Sequence, residues 1–153
     1  MEKYRTSSHT TYDIKYHICW ITKYRYRVLQ GKIIERLREI LKQECQKLDV
    51  MPIVSSINQE HVHILVSVPP DLSVSKLVQQ LKGNSSIKLQ REFSQELRKR
   101  YWGRHLWARG FFAVSSGNVT DSMWIEYIKN QGQKEQQELI EDQKRNQAGK
   151  NLN

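Results

Sequence analysis

Glu60-His61-Val62-His63-Ile64-Leu65-Val66-Ser67-Val68 alternates with the period of a β-strand. Side chains two apart share a strand face, so Val62, Ile64, Val66 and Val68 form one apolar side. His61 and His63 stand side by side on the other, within reach of one metal ion. A strand paired on both sides is a stiff mount, which suits ligands held to fractions of an ångström. The same pattern also fits two satisfied polar residues on a wet sheet face, and a short motif does not choose between these readings.

Working outward, Ile53 to Ile57 read as a preceding strand, begun after Pro52. The Asn58-Gln59-Glu60 turn makes it and the histidine strand an antiparallel hairpin. Upstream, Ile33, Ile34, Leu37, Ile40, Leu41 and Leu48 recur at helical spacing, an amphipathic helix of about four turns. Before it, Tyr12, Ile14, Tyr16, Ile18 and Trp20 alternate as the apolar face of a first strand. That strand runs into Lys23-Tyr24-Arg25-Tyr26-Arg27, cations interleaved with tyrosines. Such a cluster suits phosphate contact and base stacking, or is a solvated strand end.

Downstream, Pro69-Pro70 ends the histidine strand and Ser73 caps a helix carrying Val74, Leu77, Val78 and Leu81. Lys82-Gly83-Asn84-Ser85-Ser86 interrupts its pattern. Gly110 to Ser115 read as a fourth strand, and Ser116-Gly117-Asn118 as a flexible joint. A last helix begins near Thr120 or Asp121, with Trp124, Tyr127, Ile128 and Gln131. The first six elements follow β-α-β-β-α-β order. The expected class is α+β, a ferredoxin-like (RRM-like) sandwich with an additional C-terminal helix. Two helices cover one sheet face, and the histidines project from the other.

The chain has 153 residues, long enough for one core, with residues 1–11 as a loose arm and 12–133 as the domain. Beyond it, residues 134–153 form a polar tail, either a fraying helix or disordered. The net charge is +9 and the pI about 9.6. Four cations and four anions cancel within the tail, so the excess lies on the domain and points to a polyanion, nucleic acid before membrane. No window has the apolar length of a membrane span, and the N-terminus lacks a signal-peptide core. Cys19 and Cys45 lack zinc-finger or redox spacing and read as reduced thiols of a cytoplasmic protein.

Two imidazoles hold a divalent cation weakly, so a third ligand is wanted. Tyr127 and Gln131 are one helical turn apart on one face. The Gln131 amide oxygen can ligate a hard cation and bring the Tyr127 hydroxyl near it. Alone, Tyr-x-x-x-Gln also fits a packed tyrosine and a solvated glutamine. Together with the histidines it makes a set that can polarise a phosphate and attack it. A phenol, with an ordinary pKa near 10, needs metal or cations to ionise at neutral pH. It is also a good leaving group, so a phosphotyrosine can be resealed by a DNA 3′-hydroxyl.

Tyr16-His17-Ile18, Lys23-Tyr24-Arg25, Glu60-His61-Val62-His63-Ile64-Leu65, Leu81-Lys82-Gly83-Asn84-Ser85-Ser86, Leu106-Trp107-Ala108-Arg109-Gly110-Phe111-Phe112 and Tyr127-Ile128-Lys129-Asn130-Gln131 resemble, in order, motifs of one family. It is that of the small single-tyrosine HUH transposases of the insertion sequence 200/605 group, over residues 9 to 133. The resemblance implies a homodimer that transposes single-stranded DNA after recognising subterminal hairpins. It implies Mg²⁺ or Mn²⁺ on His61, His63 and Gln131, and Tyr127 as the nucleophile that forms a 5′-phosphotyrosine. It adds Lys82 and Ser85 to Lys23, Arg25 and Arg27 as DNA-binding candidates, and favours exchange of the Tyr127 helix between subunits. Glu60 stands where the family often has Asp, a change that keeps the charge. Three alternatives share parts of this pattern. A related nuclease that processes chromosomal palindromic repeats would use the same residues. A non-catalytic RRM-like binding protein would not need the His-His-Gln-Tyr set. A two-histidine phosphoesterase would need a second, separated histidine motif.

Overall fold

A computed structural model describes residues 4–101, 105–115 and 121–150. The main sheet comprises β3 (Lys15–Ile21), β4 (Met51–Ile57), β5 (His61–Ser67) and β6 (Phe112–Ser115), in the order β4-β5-β3-β6. All neighbours are antiparallel. With α1 (Lys32–Lys47) between β3 and β4, and α2 (Val74–Glu92) between β5 and β6, this is the expected ferredoxin-like connection. A short α3 (Ser94–Arg98) follows α2, and α4 (Asp121–Lys150) ends the described chain.

One sheet face and the two long helices enclose the core. β3 contributes Ile18 and Trp20, and β5 contributes Val62, Ile64 and Val66. α1 buries Ile33, Leu37, Ile40 and Leu41, and α2 buries Leu77, Val78, Leu81 and Leu89. Each such side chain contributes about 1.5–3 kcal/mol by leaving water. The Ser73 hydroxyl caps α2 by accepting from the Lys76 amide at 3.1 Å.

Three expectations change. The N-terminal arm is tied down: β1 (Arg5–Thr6) pairs with β2 (Thr11–Tyr12), and Arg5 donates to the Ser67 carbonyl at 3.0 Å and the Asp49 carbonyl at 2.7 Å. Pro52 lies inside β4, because β4 is an edge strand and its ladder shifts register between Pro52 and Val54. The break at Lys82–Ser86 is no break, since α2 runs through it. Its polar residues have partners across the fold. Asn84 donates to the buried Glu44 carboxylate of α1 at 2.8 Å, and Lys47 and Lys88 lie at 3.0 and 3.4 Å from the same group. Burial alone would raise the Glu44 pKa, but these donors outweigh it and hold it below the usual carboxylate value.

The tail is helical to Lys150 as the continuation of α4, which touches β3 and the Lys23–Arg25 turn. The joint Ser116-Gly117-Asn118, with Thr120, lies outside the described residues, as do the side chains of Trp124 and Ile128. Among the described residues no helix is long and apolar enough to cross a membrane.

Candidate active site

The strand register assembles the second face of the sheet. Ile21 of β3 pairs with His61 of β5, Cys19 with His63, and His17 with Leu65. Since Ile18 and Trp20 enter the core, His17, Cys19 and Ile21 must face the other way, with the two histidines of β5. His61 is 5% exposed. Its Nδ1 lies 3.3 Å from Glu60 Oε1 and its Nε2 lies 2.8 Å from Asn58 Nδ2. A carboxylate only accepts, so the proton sits on Nδ1, and the Nε2 lone pair accepts from the Asn58 amide N–H. Burial lowers the His61 pKa. The Glu60 carboxylate opposes that shift and the Arg25 guanidinium adds to it, with a net lowering. The ring is therefore neutral at neutral pH, as metal ligation requires.

His63 is half-buried, and its Nε2 lies 3.3 Å from Nδ1 of His17, with the rings stacked at 22° and centroids 5.5 Å apart. Cys19 is fully buried, and burial pushes its thiol up to about 12, so it is a neutral packing group beside the histidines.

Tyr127 lies on this same face. It packs with Cys19, Ile21 and Ala108, and its ring stands 5.6 Å from that of Phe112. Ile21 and Cys19 are the cross-strand partners of His61 and His63, so the cluster that the tyrosine packs against includes the partners of both imidazoles. Gln131 follows one turn later on α4, and its side chain lies outside the described residues. Among the described residues no three His, Cys, Asp or Glu side chains converge as a metal-binding group. The donor chemistry fits a hard or borderline cation that would take the place of the Asn58 amide at His61 Nε2 and be completed by a ligand of another type. A carboxylate fixes the tautomer of a neutral His61, the usual support of a metal-bound imidazole. Gln131 would supply an amide oxygen.

The basic cluster turns beside this face. Lys23, Tyr24 and Arg25 form a single 3-10 turn in which Tyr24 (φ 59°) and Arg25 (φ 55°) adopt left-handed backbone. That conformation is costly for such residues and is held from outside. The Tyr101 hydroxyl donates to the Lys23 carbonyl at 3.0 Å, and the Thr22 hydroxyl to the Tyr26 carbonyl at 2.7 Å. The turn leaves Arg25 partly buried, close enough for its charge to be felt at His61, and leaves Arg27 exposed. Tyr24, Tyr26 and Tyr101 form a ladder with successive ring centroids 5.6 Å apart. Lys23 lies over the first ring at 5.2 Å and Arg100 over the second at 5.4 Å. The ladder lines a cleft of about 590 Å³ whose other wall is α4.

Lys82 and Ser85 do other work. The Lys82 ammonium donates to the carbonyls of Ala108 and Gly110 at 2.7 and 2.8 Å. It latches the segment that leads into β6. Ser85 is fully buried and accepts the Trp107 indole N–H at 3.0 Å, so it is no surface contact for DNA. Its polarity in an apolar register has a cause, since the indole N–H would otherwise be buried unpaired. Arg100 and Tyr101 were not singled out in the sequence, and His17 and Asn58 were named only within a motif and a turn, with no role of their own. His17 could have been found by placing the first strand's non-core face against β5.

The family model "Transposase IS200 like" matches residues 10–131. The transposase for insertion sequence element IS200 of Salmonella typhimurium is 32% identical over 127 residues, 83% of this chain and 82% of the relative. The ISDra2 transposase TnpA of Deinococcus radiodurans is 30% identical over 124 residues, 81% and 88% of the two chains. A crystal structure from Deinococcus radiodurans R1, of a protein provisionally assigned as a transposase, superposes with a TM-score of 0.77 at 26% identity. It covers 83% of this chain and 97% of its own. A four-stranded sheet with this order, a histidine pair and a helix-borne tyrosine on one sheet face, and a match over most of the chain agree: the protein belongs to the IS200-like transposase family of DNA-processing enzymes.

Proposed function

We propose that this transposase is a metal-dependent single-stranded DNA endonuclease and strand transferase. The observation that carries the reading is that Tyr127 packs against the cluster formed by Cys19, Ile21 and Ala108, which includes the cross-strand partners of His63 and His61. His61, His63 and Gln131 would hold Mg²⁺ or Mn²⁺, which polarises a non-bridging phosphate oxygen and offsets the charge of the transition state. The Tyr127 hydroxyl oxygen attacks the phosphorus. A bond forms between that oxygen and phosphorus, the P–O3′ bond breaks, and the 3′-hydroxyl leaves with a proton. The product is a 5′-phosphotyrosine. In rejoining, a 3′-hydroxyl attacks the same phosphorus and the phenol departs. Arg25, whose charge is felt at His61, would add positive charge for a phosphate.

Recognition of DNA hairpins belongs to the same reading, with Lys23, Arg25 and Arg27 on phosphates and the tyrosine ladder beneath bases. The enzyme acts as a cytoplasmic homodimer. In the single chain α4 docks on its own sheet, and an exchanged α4 would make the identical contacts on a partner. The test is incubation with single-stranded DNA from the gene's own flanking repeats and Mg²⁺, read as a covalent protein–DNA adduct on a denaturing gel. The adduct should form with the wild type and be absent without metal. A cleaved strand with no covalent protein would overturn the tyrosine mechanism.

A further inference from the structure

Two clefts flank the Lys23–Arg25 turn, and both have the far end of α4 as a wall. One, of about 590 Å³, joins Lys23, Tyr24 and Tyr26 to Leu139 and Asp142. The other, of about 570 Å³, joins Lys23 and Arg109 to Glu138, Glu141 and Asp142. Leu139 is half-buried between exposed neighbours, an apolar anchor in the cleft of the tyrosines. The charges of the tail cancel in number but not in placement. Residues three and four apart share a helix face, so Glu138, Glu141 and Asp142 present three carboxylates together. Arg145 lines the same cleft and lies 3.9 and 3.8 Å from Glu141 and Asp142. Three carboxylates against one guanidinium leave this wall negative, opposite a basic turn.

We propose that residues 138–142 of α4 are a built-in competitor of DNA, whose carboxylates occupy the approach of phosphates to the Lys23 turn, so that DNA binds there by displacing this end of the helix. This rests on the reading of that turn as a phosphate-binding site. A phosphate drawn to Lys23 or Arg109 enters a cleft already walled by carboxylates, and like charges brought together oppose binding. DNA then binds only the fraction of molecules whose helix end is undocked, and the apparent affinity falls by that fraction. Linkage makes the effect reciprocal: the factor that docking takes from DNA affinity, DNA takes from docking. The residues concerned lie beyond residue 131, where the family match ends.

The experiment uses the full chain in EDTA, which prevents metal-dependent cleavage, with fluorescent oligo(dT) as the probe. One variant combines Glu138→Gln, Glu141→Gln and Asp142→Asn, which keep the side-chain shapes and remove the charges. A control variant combines Asp13→Asn, Asp49→Asn and Asp71→Asn, the same change of charge on residues that line neither cleft. Anisotropy reads affinity, hydrogen exchange over residues 138–146 reads docking, and thermal melting checks the fold. The tail variant should bind oligo(dT) roughly 5- to 150-fold more tightly than wild type, and the control should gain far less. In wild type, saturating oligo(dT) should speed exchange over residues 138–146. A tail variant that gains no more than the control would overturn the proposal. So would exchange that slows on DNA binding, which would make the tail part of the interface. Lys23→Ala separates the two claims. If it leaves oligo(dT) affinity unchanged, the turn is no DNA site and the competitor falls with that reading. If it weakens binding while the tail variant gains nothing beyond the control, only the competitor falls.

Discussion

The two faces of one sheet divide stability from chemistry. β3 and β5 contribute Ile18, Trp20, Val62, Ile64 and Val66 to one side, all at most 3% exposed. The same strands give His17, Cys19, Ile21, His61 and His63 to the other. Period-two alternation lets a residue be changed on one face while its sequence neighbours remain in the opposite environment. The difference teaches that the helices on the core face make β5 rigid, and that this rigidity is what the histidine face uses. Substitutions on the two faces should therefore separate cleanly in what they alter.

The sharpest separation is expected at the histidines. His61→Ala or His63→Ala should reduce DNA cleavage to background and weaken Mn²⁺ binding, with hairpin binding and the fold retained. Calorimetry with Mn²⁺ beside a cleavage assay checks this, and unchanged affinity in both variants would dissolve the distinction between the faces. Mixing a His61→Ala, His63→Ala chain with a Tyr127→Phe chain extends the test to the dimer. Exchanged α4 helices give each mixed dimer one complete site, so cleavage should return once subunit exchange has been verified. Continued inactivity would mean that each tyrosine serves its own sheet.

On the core face the order reverses. Ile64→Ala should lower stability by about 2–5 kcal/mol through reduced burial and a residual cavity, read by urea denaturation. Cleavage per folded molecule should stay within a few-fold of wild type. A histidine-like loss of activity without loss of stability would show that the faces are not independent. The smallest effect is expected at the rim. Replacing Lys23, Arg25 and Arg27 together should reduce the slope of log K against log salt by roughly 0.7 to 0.9 for each phosphate no longer neutralised. An unchanged slope would remove this cluster from the interface.

The sequence carried the fold well because the fold rests on alternation. Val62, Ile64 and Val66 announce a strand, and Leu37, Ile40 and Leu41 a helix, through local period alone. Two short spacings made His61 with His63, and Tyr127 with Gln131, legible as candidate pairs; the structure has the histidines on one strand face and Tyr127 packed on that face. It failed where side chains act over long range. Lys82 and Ser85 sit in a stretch that looks exposed, and become structural only because residues 106–110 fold back onto α2. Asn84 likewise breaks the apolar pattern in order to reach Glu44, forty positions earlier. His17 was hidden for the same reason, because it meets His63 only through strand pairing.

The most direct test is to locate the DNA on the protein. Wild-type protein is allowed to form its adduct with Mg²⁺, both partners are digested, and the nucleotide-bearing peptide is found by mass spectrometry. Tyr24, Tyr26 and Tyr101, which pack against the main core, form an internal control. The account predicts a nucleotide linked through its 5′-phosphate to Tyr127 alone, and none in Tyr127→Phe. A nucleotide on any residue of the tyrosine ladder, or an adduct that survives Tyr127→Phe at near wild-type yield, would contradict it.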